Sequence, residues 1–167
     1  MKTAKRAALV IVLLAILIIG ANSIVITYEN EYSLIRQFGK VDHVVSEAGI
    51  SFKIPFIQTA DKLPKQTMLY DLAPSDVITS DKKTMICDSY ILWRISDPLK
   101  FAQTLNSSVT NAESRLDTIV YNSTKNVISS TTQDDVISGR DGELSAAIIA
   151  HIGTTLDQYG IVLLDFE

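Results

Sequence analysis

Between Ala7 and Ile26 the chain runs through apolar residues broken only by Gly20, Asn22 and Ser23, and Lys2, Lys5 and Arg6 stand in front of the run. At about 1.5 Å per residue, a helix of that length matches the roughly 30 Å hydrocarbon core of a bilayer. The first charges beyond it are Glu29 and Glu31. The positive-inside bias then predicts a single-pass protein of the cell membrane, its N-terminus cytoplasmic and residues from 27 onward on the extracytoplasmic side. A cleaved signal peptide shares the basic start and apolar middle. It is disfavoured because the best cleavage position, after Ala21, has Ile19 where a small residue is preferred, and because the apolar stretch resumes at Ile24-Val25-Ile26. Residues 1–26 are read as a cytoplasmic N-terminus and transmembrane anchor.

The rest of the chain carries 12 Lys and Arg against 19 Asp and Glu, a net charge of -7. Binding to nucleic acid draws on a basic face that displaces counterions from phosphates, and no such cluster follows the N-terminus. Cys87 is the only cysteine, so no intrachain disulfide can form and the fold must rest on its core. In its strand-like setting Cys87 reads as a small buried apolar residue. His43 and His151 lack partners at metal-ligand spacing. The seven glycines are scattered and form no phosphate-cradling loop, and no nucleophile, base and acid come together. The sequence thus offers no catalytic group, metal site or cofactor.

Residues 27–96 read as a β-rich subdomain. Ser33–Phe38 makes one strand closed by Gly39-Lys40, Val41–Val45 a second, and Ile50–Ile57 an apolar run interrupted by Pro55, which cannot donate to a ladder and belongs at an edge or bend. The clearest strand is Thr84–Ile95. Met85, Cys87, Ile91, Trp93 and Ile95 share one parity, while Ile86, Asp88, Tyr90, Leu92 and Arg94 share the other, the pattern of a strand packed on one face and partly covered on the second. Val77–Thr79 and the polar Ser80–Lys83 read as its hairpin partner and turn.

Residues 97–167 read as a helical α/β subdomain. Pro98 opens a short helix to Leu105, capped by Ser96 or Asp97. Val109–Ile128 is a longer helix with Ala112, Leu116, Ile119, Val120 and Val127 as its buried stripe. Thr132 and Asp135 form a weak capping box before a short turn. A last helix over Asp141–Tyr159 places Leu144, Ala147, Ile148, Ile152 and Leu156 on one face and stops at Gly160. His151 falls off that face. A strand from Ile161 to Leu164 begins as the chain runs out, which suggests a fragment of a longer protein. The fold class is α+β behind a membrane helix.

Four stretches in this order resemble the stomatin, prohibitin, flotillin and HflK-HflC proteins, the SPFH or band-7 family, and specifically its HflC branch. They are Glu29-Asn30-Glu31-Tyr32 leading to Arg36-Gln37-Phe38-Gly39-Lys40-Val41; Glu47 to Ile57, with Ala48 where the family commonly has proline; Asp88 to Asp97; and Ile137-Ser138-Gly139-Arg140-Asp141 with Tyr159-Gly160-Ile161. The resemblance covers essentially the whole chain. It implies a non-enzymatic scaffold that forms large membrane-bound homo- or hetero-oligomers, with an HflK-like sister subunit, around an FtsH-type membrane protease. A stomatin-like organiser of lipid domains is the alternative, and an anchored extracellular hydrolase a remote one. Full-length relatives continue into a long helix that packs subunits laterally, and this chain lacks it, as it lacks an insertion found before the final helix in HflC relatives.

Two surfaces stand out as candidate sites. Ile54, Pro55, Phe56 and Ile57 form an apolar corner expected at the membrane surface, as similar segments in the family approach the bilayer. Asp88 and Arg94 are interface candidates. They lie on one strand face but six residues apart, too far along a strand to pair with each other.

Overall fold

The computed structural model describes residues 13–14, 17–18, 20–138 and 142–167. The expected membrane anchor lies largely outside the described residues, as do Lys2, Lys5, Arg6 and Gly139–Asp141 of the fourth stretch. Among the described residues no helix is long and apolar enough to cross a membrane. The apolar run does not continue as helix to Ile26. Residues 20–22 are helical, Ser23 turns the chain, and the β-branched Ile24, Val25 and Ile26 enter strand β1 (Ile24–Thr27), which pairs with a later strand.

The chain divides into two compact units, residues 1–65 and 66–167. The first holds β1, β2 (Glu31–Gln37), β3 (Lys40–Val45), β4 (Gly49–Phe52) and β5 (Gln58–Pro64). β1 pairs with β4, and a second antiparallel sheet has the order β3-β2-β5. Between two neighbours, β2 is covered on both faces, so the consecutive Ser33, Leu34 and Ile35 are all buried. Thr27, buried on β1, donates its hydroxyl to Ser33 Oγ at 2.7 Å, which satisfies both polar groups inside this small core. Arg36 and Asp61, cross-strand neighbours in β2 and β5, make an ion pair of 2.7 Å.

In the second unit β6 (Met68–Ile78), β7 (Thr84–Ile95) and β8 (Ile161–Phe166) form an antiparallel sheet in that order. Helices α1 (Pro98–Leu105), α2 (Val109–Ser129), α3 (Gln133–Ser138) and α4 (Glu143–Ile152) lie between β7 and β8 in the chain, followed by a 3-10 segment, Gly153–Tyr159. β7 has the bounds and parity read from its sequence. Ile91, Trp93 and Ile95 are buried, and Met85 and Cys87 half-buried on the same parity, so Cys87 is less enclosed than expected. The division expected after residue 96 falls instead after Lys65. The physical reason is the register Ile95↔Ile161, Arg94↔Val162 and Trp93↔Leu163, which binds the last strand to β7.

The helices refine the expected stripes. Asp97 caps α1, its carboxylate accepting from the backbone N–H groups of Leu99 and Lys100 at 3.0 Å. On α2 the buried residues are Ala112, Leu116, Val120, Ser123, Thr124 and Ile128, while Ile119 and Val127 are half-buried. Steps of four from Ala112 reach Ile128 rather than Val127, because the line of contact follows one ridge of the helix. The last helix starts at Glu143 and breaks at Gly153, whose φ of 51° leaves the helical region. Ile148, Ile152 and Leu156 are buried as read, whereas Leu144 is half-buried and Ala147 exposed. His151 is exposed. Trp93, the only tryptophan, is fully buried with its ring near-parallel to that of Phe101, 6.5 Å between centroids.

Two polar junctions tie these elements together. Gly160, with φ 67°, accepts from the N–H groups of Ser96 and Asp97 at 2.9 and 3.1 Å. A Cβ at Gly160 would lie 2.2 Å from the Asp97 carbonyl oxygen and 3.0 Å from Phe101 N. At the β6–β7 turn, Asp81 accepts from the Thr79 hydroxyl at 2.6 Å and the Gln133 N–H at 3.2 Å, and pairs with Lys83 at 3.0 Å. The Thr79 hydrogen bond, then the Lys83 partner, hold the Asp81 carboxyl down at about 2.

Gly160→Ala has no conformation free of collision and is expected to destabilise the second unit by about 3 kcal/mol, read as a lower urea midpoint; an unchanged midpoint would mean that the backbone there can yield. Because the folded pKa of Asp81 is depressed, its contribution is complete above its unfolded value and disappears as pH falls toward about 2. The melting temperature of the parent should therefore drop more steeply than that of Asp81→Asn as pH is lowered from about 4 to about 2; parallel curves would show that the turn is not held by charge.

Candidate functional site: an apolar edge and an acidic sheet face

Pairing decides which side chains of the first unit meet solvent. The register Ile24↔Phe52 and Ile26↔Ile50 sets four large apolar residues on one face of the β1–β4 ribbon, while Val25 and Thr27 turn inward and are buried. All four are exposed, Phe52 at 71%. The chain then passes Lys53, whose N–H donates to the Ser23 carbonyl at 2.8 Å, and makes the turn Pro55-Phe56-Ile57. Gln58 clamps that turn. Its N–H donates to the Ile54 carbonyl at 2.9 Å, and its side-chain oxygen accepts from Ile54 N at 2.7 Å.

Ile54, Phe56 and Ile57 are exposed and Pro55 is half-buried, so the four corner residues sit together at one turn. Phe56 is 90% exposed with φ 69°, a left-handed conformation that costs a residue with a Cβ about 1–2 kcal/mol. Packing inside the protein does not repay that cost. A second aromatic has the same setting. Phe38 and Gly39, φ 51° and 83°, form the two-residue turn between β2 and β3, and Phe38 is 84% exposed. Since Gln37 pairs with Gln58 in the β2–β5 register, Phe38 and Phe56 leave the same end of the sheet. Lys40 and Lys53 flank the two turns in sequence. The sequence reading found the Pro55 corner but not Phe38, Phe52 or Ile50. The available signal was Phe-Gly at a hairpin turn, where an aromatic side chain has no core to enter.

The second unit exposes the outer face of its sheet. Asp88 and Arg94 both project there and are exposed. The structure does not bring them together, and among the described residues neither forms an ion pair. The registers place Asp71 beside Tyr90, Asp76 beside Ile86 and Asp165 beside Leu92 on this face. The Tyr90 hydroxyl donates a short hydrogen bond to the Glu167 carboxylate, which is the main reason its pKa is raised. Leu69 and Ile86 stand out among these acids, Ile86 at 75% exposure. From Gln66 to Glu167 there are fourteen acidic residues against seven basic ones, while Ile24 to Lys65 has five of each. Among the described residues no cluster of three His, Cys, Asp or Glu has the geometry to hold a metal ion.

The SPFH domain / Band 7 family matches residues 25–167. The chain belongs to this family. Within it the chain is HflC-like. It is 35% identical over 98 residues to "Modulator of FtsH protease HflC" of Escherichia coli strain K12, covering 55% of this chain and 29% of that protein. It is 31% identical over 146 residues to "Protein HflC" of Haemophilus influenzae, 83% of this chain and 50% of the relative. With "Protein HflC" of Treponema pallidum it shares 30% over 109 residues, 65% of this chain and 33% of the relative. The chain thus spans half or less of the length of these relatives. As an SPFH domain it has the mixed α+β content read from its sequence, and the exposed turns at Phe38 and Phe56 fall within the matched region.

Proposed function

We propose that this chain is a non-catalytic subunit of a membrane-bound scaffold that modulates an FtsH-type membrane protease together with an HflK-like sister subunit. The observation that carries the reading is the HflC likeness over 83% of the chain, joined to a family match over residues 25–167. In this reading the N-terminus is cytoplasmic, the apolar run before Ser23 holds the anchor, and the SPFH domain, which opens with β1, stands on the extracytoplasmic side. Ile54, Pro55, Phe56 and Ile57 rest on the membrane surface, joined by Phe38 and by the outer face of the β1–β4 ribbon. An exposed apolar edge of this kind marks a contact with lipid or protein, and the strained Phe56 supports lipid because its ring has no use within the domain. Asp88 and Arg94 serve an interface between subunits. Their support is exposure on an open sheet face where neither has a charged partner among the described residues. The same apolar edge also favours the second reading, an organiser of lipid domains without a dedicated protease.

Recovery of the tagged chain from membranes in mild detergent separates the readings. The first expects stoichiometric FtsH-type protease and sister subunit in the eluate, and their absence with lipid retained would favour the second. The membrane contact is tested with a chain starting at Ser23. Phe56→Glu should lower its liposome binding about tenfold or more, the worth of one buried aromatic. The urea midpoint should stay the same, because Phe56 contributes no buried surface; equal liposome binding by parent and variant would remove the contact.

A further inference from the structure

β6 does not run straight past α2. Its pairing with β7 shifts between Leu72↔Ser89 and Ser75↔Cys87, leaving Ala73 and Pro74 as an unpaired bulge. Proline has no N–H to give the ladder, so the bulge suits it. On the inward face opposite, where Ile91 and Trp93 fill the core further along, β7 offers only the small Cys87 and Ser89. Short side chains beneath a bulged strand leave space against α2. The result is an open cleft of about 270 Å³, with Leu72, Ala73 and Pro74 along one side and Asp117, Tyr121 and Thr124 of α2 along the other.

The lining is apolar at one wall and negatively charged at the other. Asp117 is half-buried and forms no ion pair among the described residues, and Glu113 lies one helical turn before it. The charge is felt locally. The Tyr70 phenol is pushed above its ordinary pKa by burial, and then by the Asp117 and Glu113 carboxylates. Lys125, a cation on the same helix, is held over the Tyr121 ring at 5.9 Å. Thr124 is 4% exposed and, among the described residues, its hydroxyl has no hydrogen-bond partner, although a helical threonine can usually donate to the carbonyl four residues back. That oxygen is sealed from water on a residue that lines the cleft.

We propose that this cleft is a binding site for a small organic cation, a primary ammonium on a short hydrocarbon chain. Asp117 takes the ammonium, the hydroxyls of Thr124 and Ser89 accept its remaining N–H groups, and Leu72, Ala73 and Pro74 cover the hydrocarbon. The same chemistry can arrive as a free amine or as a lysine side chain of another protein.

Cys87 lines the cleft and is the chain's only cysteine, so its alkylation by iodoacetamide reads occupancy directly. The full chain in non-ionic detergent at constant pH and ionic strength is treated with butylammonium, 1-butanol or N-acetyl-lysine methylamide. A ligand this small binds with a dissociation constant on the order of millimolar, so butylammonium at about 20 mM should slow alkylation at least about twofold. Butanol at the same concentration should not, and Asp117→Asn should abolish the protection. Protection by butylammonium alone assigns the cleft to free amines, and protection by the lysine derivative as well extends it to a protein side chain. An unchanged rate, equal slowing by butanol, or full protection retained in Asp117→Asn would overturn the proposal. The amine and alcohol comparison is made on the unmutated chain, so the outcome stands even if the variant folds poorly.

Discussion

The close approach of Gly160 to Asp97 fixes most of the second unit. At this point the end of β7, the start of α1, the end of the 3-10 segment and the start of β8 meet within one hydrogen-bonded junction. The Gly160 carbonyl takes the N–H groups of Ser96 and Asp97, and the Asp97 carboxylate takes those that open α1. Because β8 begins at the next residue, the junction also sets the register that places Ile161 beside Ile95 and buries both. A strand added to a sheet after some 65 intervening residues needs such an anchor, since a slip of one residue would turn its buried side chains outward.

The two units solve the problem of burial differently. In the second, one sheet face is covered by helices and the other is left to solvent with an excess of acid. In the first, β2 is covered on both sides by a thin core, and much of the remaining apolar surface stays outside. The charges follow the same division, balanced from Ile24 to Lys65 and strongly negative beyond. A neutral unit with bare aromatic turns tolerates an anionic, greasy surface, and an acidic unit avoids one. This contrast is the physical ground for proposing a lipid contact on the first unit rather than the second.

Legibility in the sequence tracked how much a segment depends on local pattern. β7 was readable to its ends because its alternation is clean, and α1 because Asp97-Pro98 is a strong start signal. β6 before Val77 was not readable, since its bulge at Ala73-Pro74 breaks the alternation and only the partner strand shows that pairing resumes. β5 escaped for a related reason: Gln58-Thr59-Ala60-Asp61-Lys62 is polar and becomes a strand by pairing with β2. Ile24–Ile26 looked like the end of a membrane run because apolar β-branched residues suit both settings, and the partner β4 decides the matter. At the candidate site, Pro55 gave the corner away and Phe38-Gly39 marked a hairpin turn, while the placing of both turns at one end of the sheet emerged only from the register that brings Gln37 next to Gln58. The small Ser89 among large inward residues was the trace of the cleft, legible only once α2 lay opposite.

A single tryptophan at a single place has a practical meaning for spectroscopy. Trp93 lies in the second unit with no exposed surface, its indole N–H without a hydrogen-bond partner among the described residues and its ring against Phe101. Its fluorescence is therefore that of an indole in an apolar, waterless setting, and it changes when β7 parts from α1. The first unit contributes only tyrosines and phenylalanines to the spectrum. An unfolding transition followed by tryptophan emission reports one half of this chain, and a loosening of the β1–β4 ribbon would pass unseen unless circular dichroism were recorded beside it.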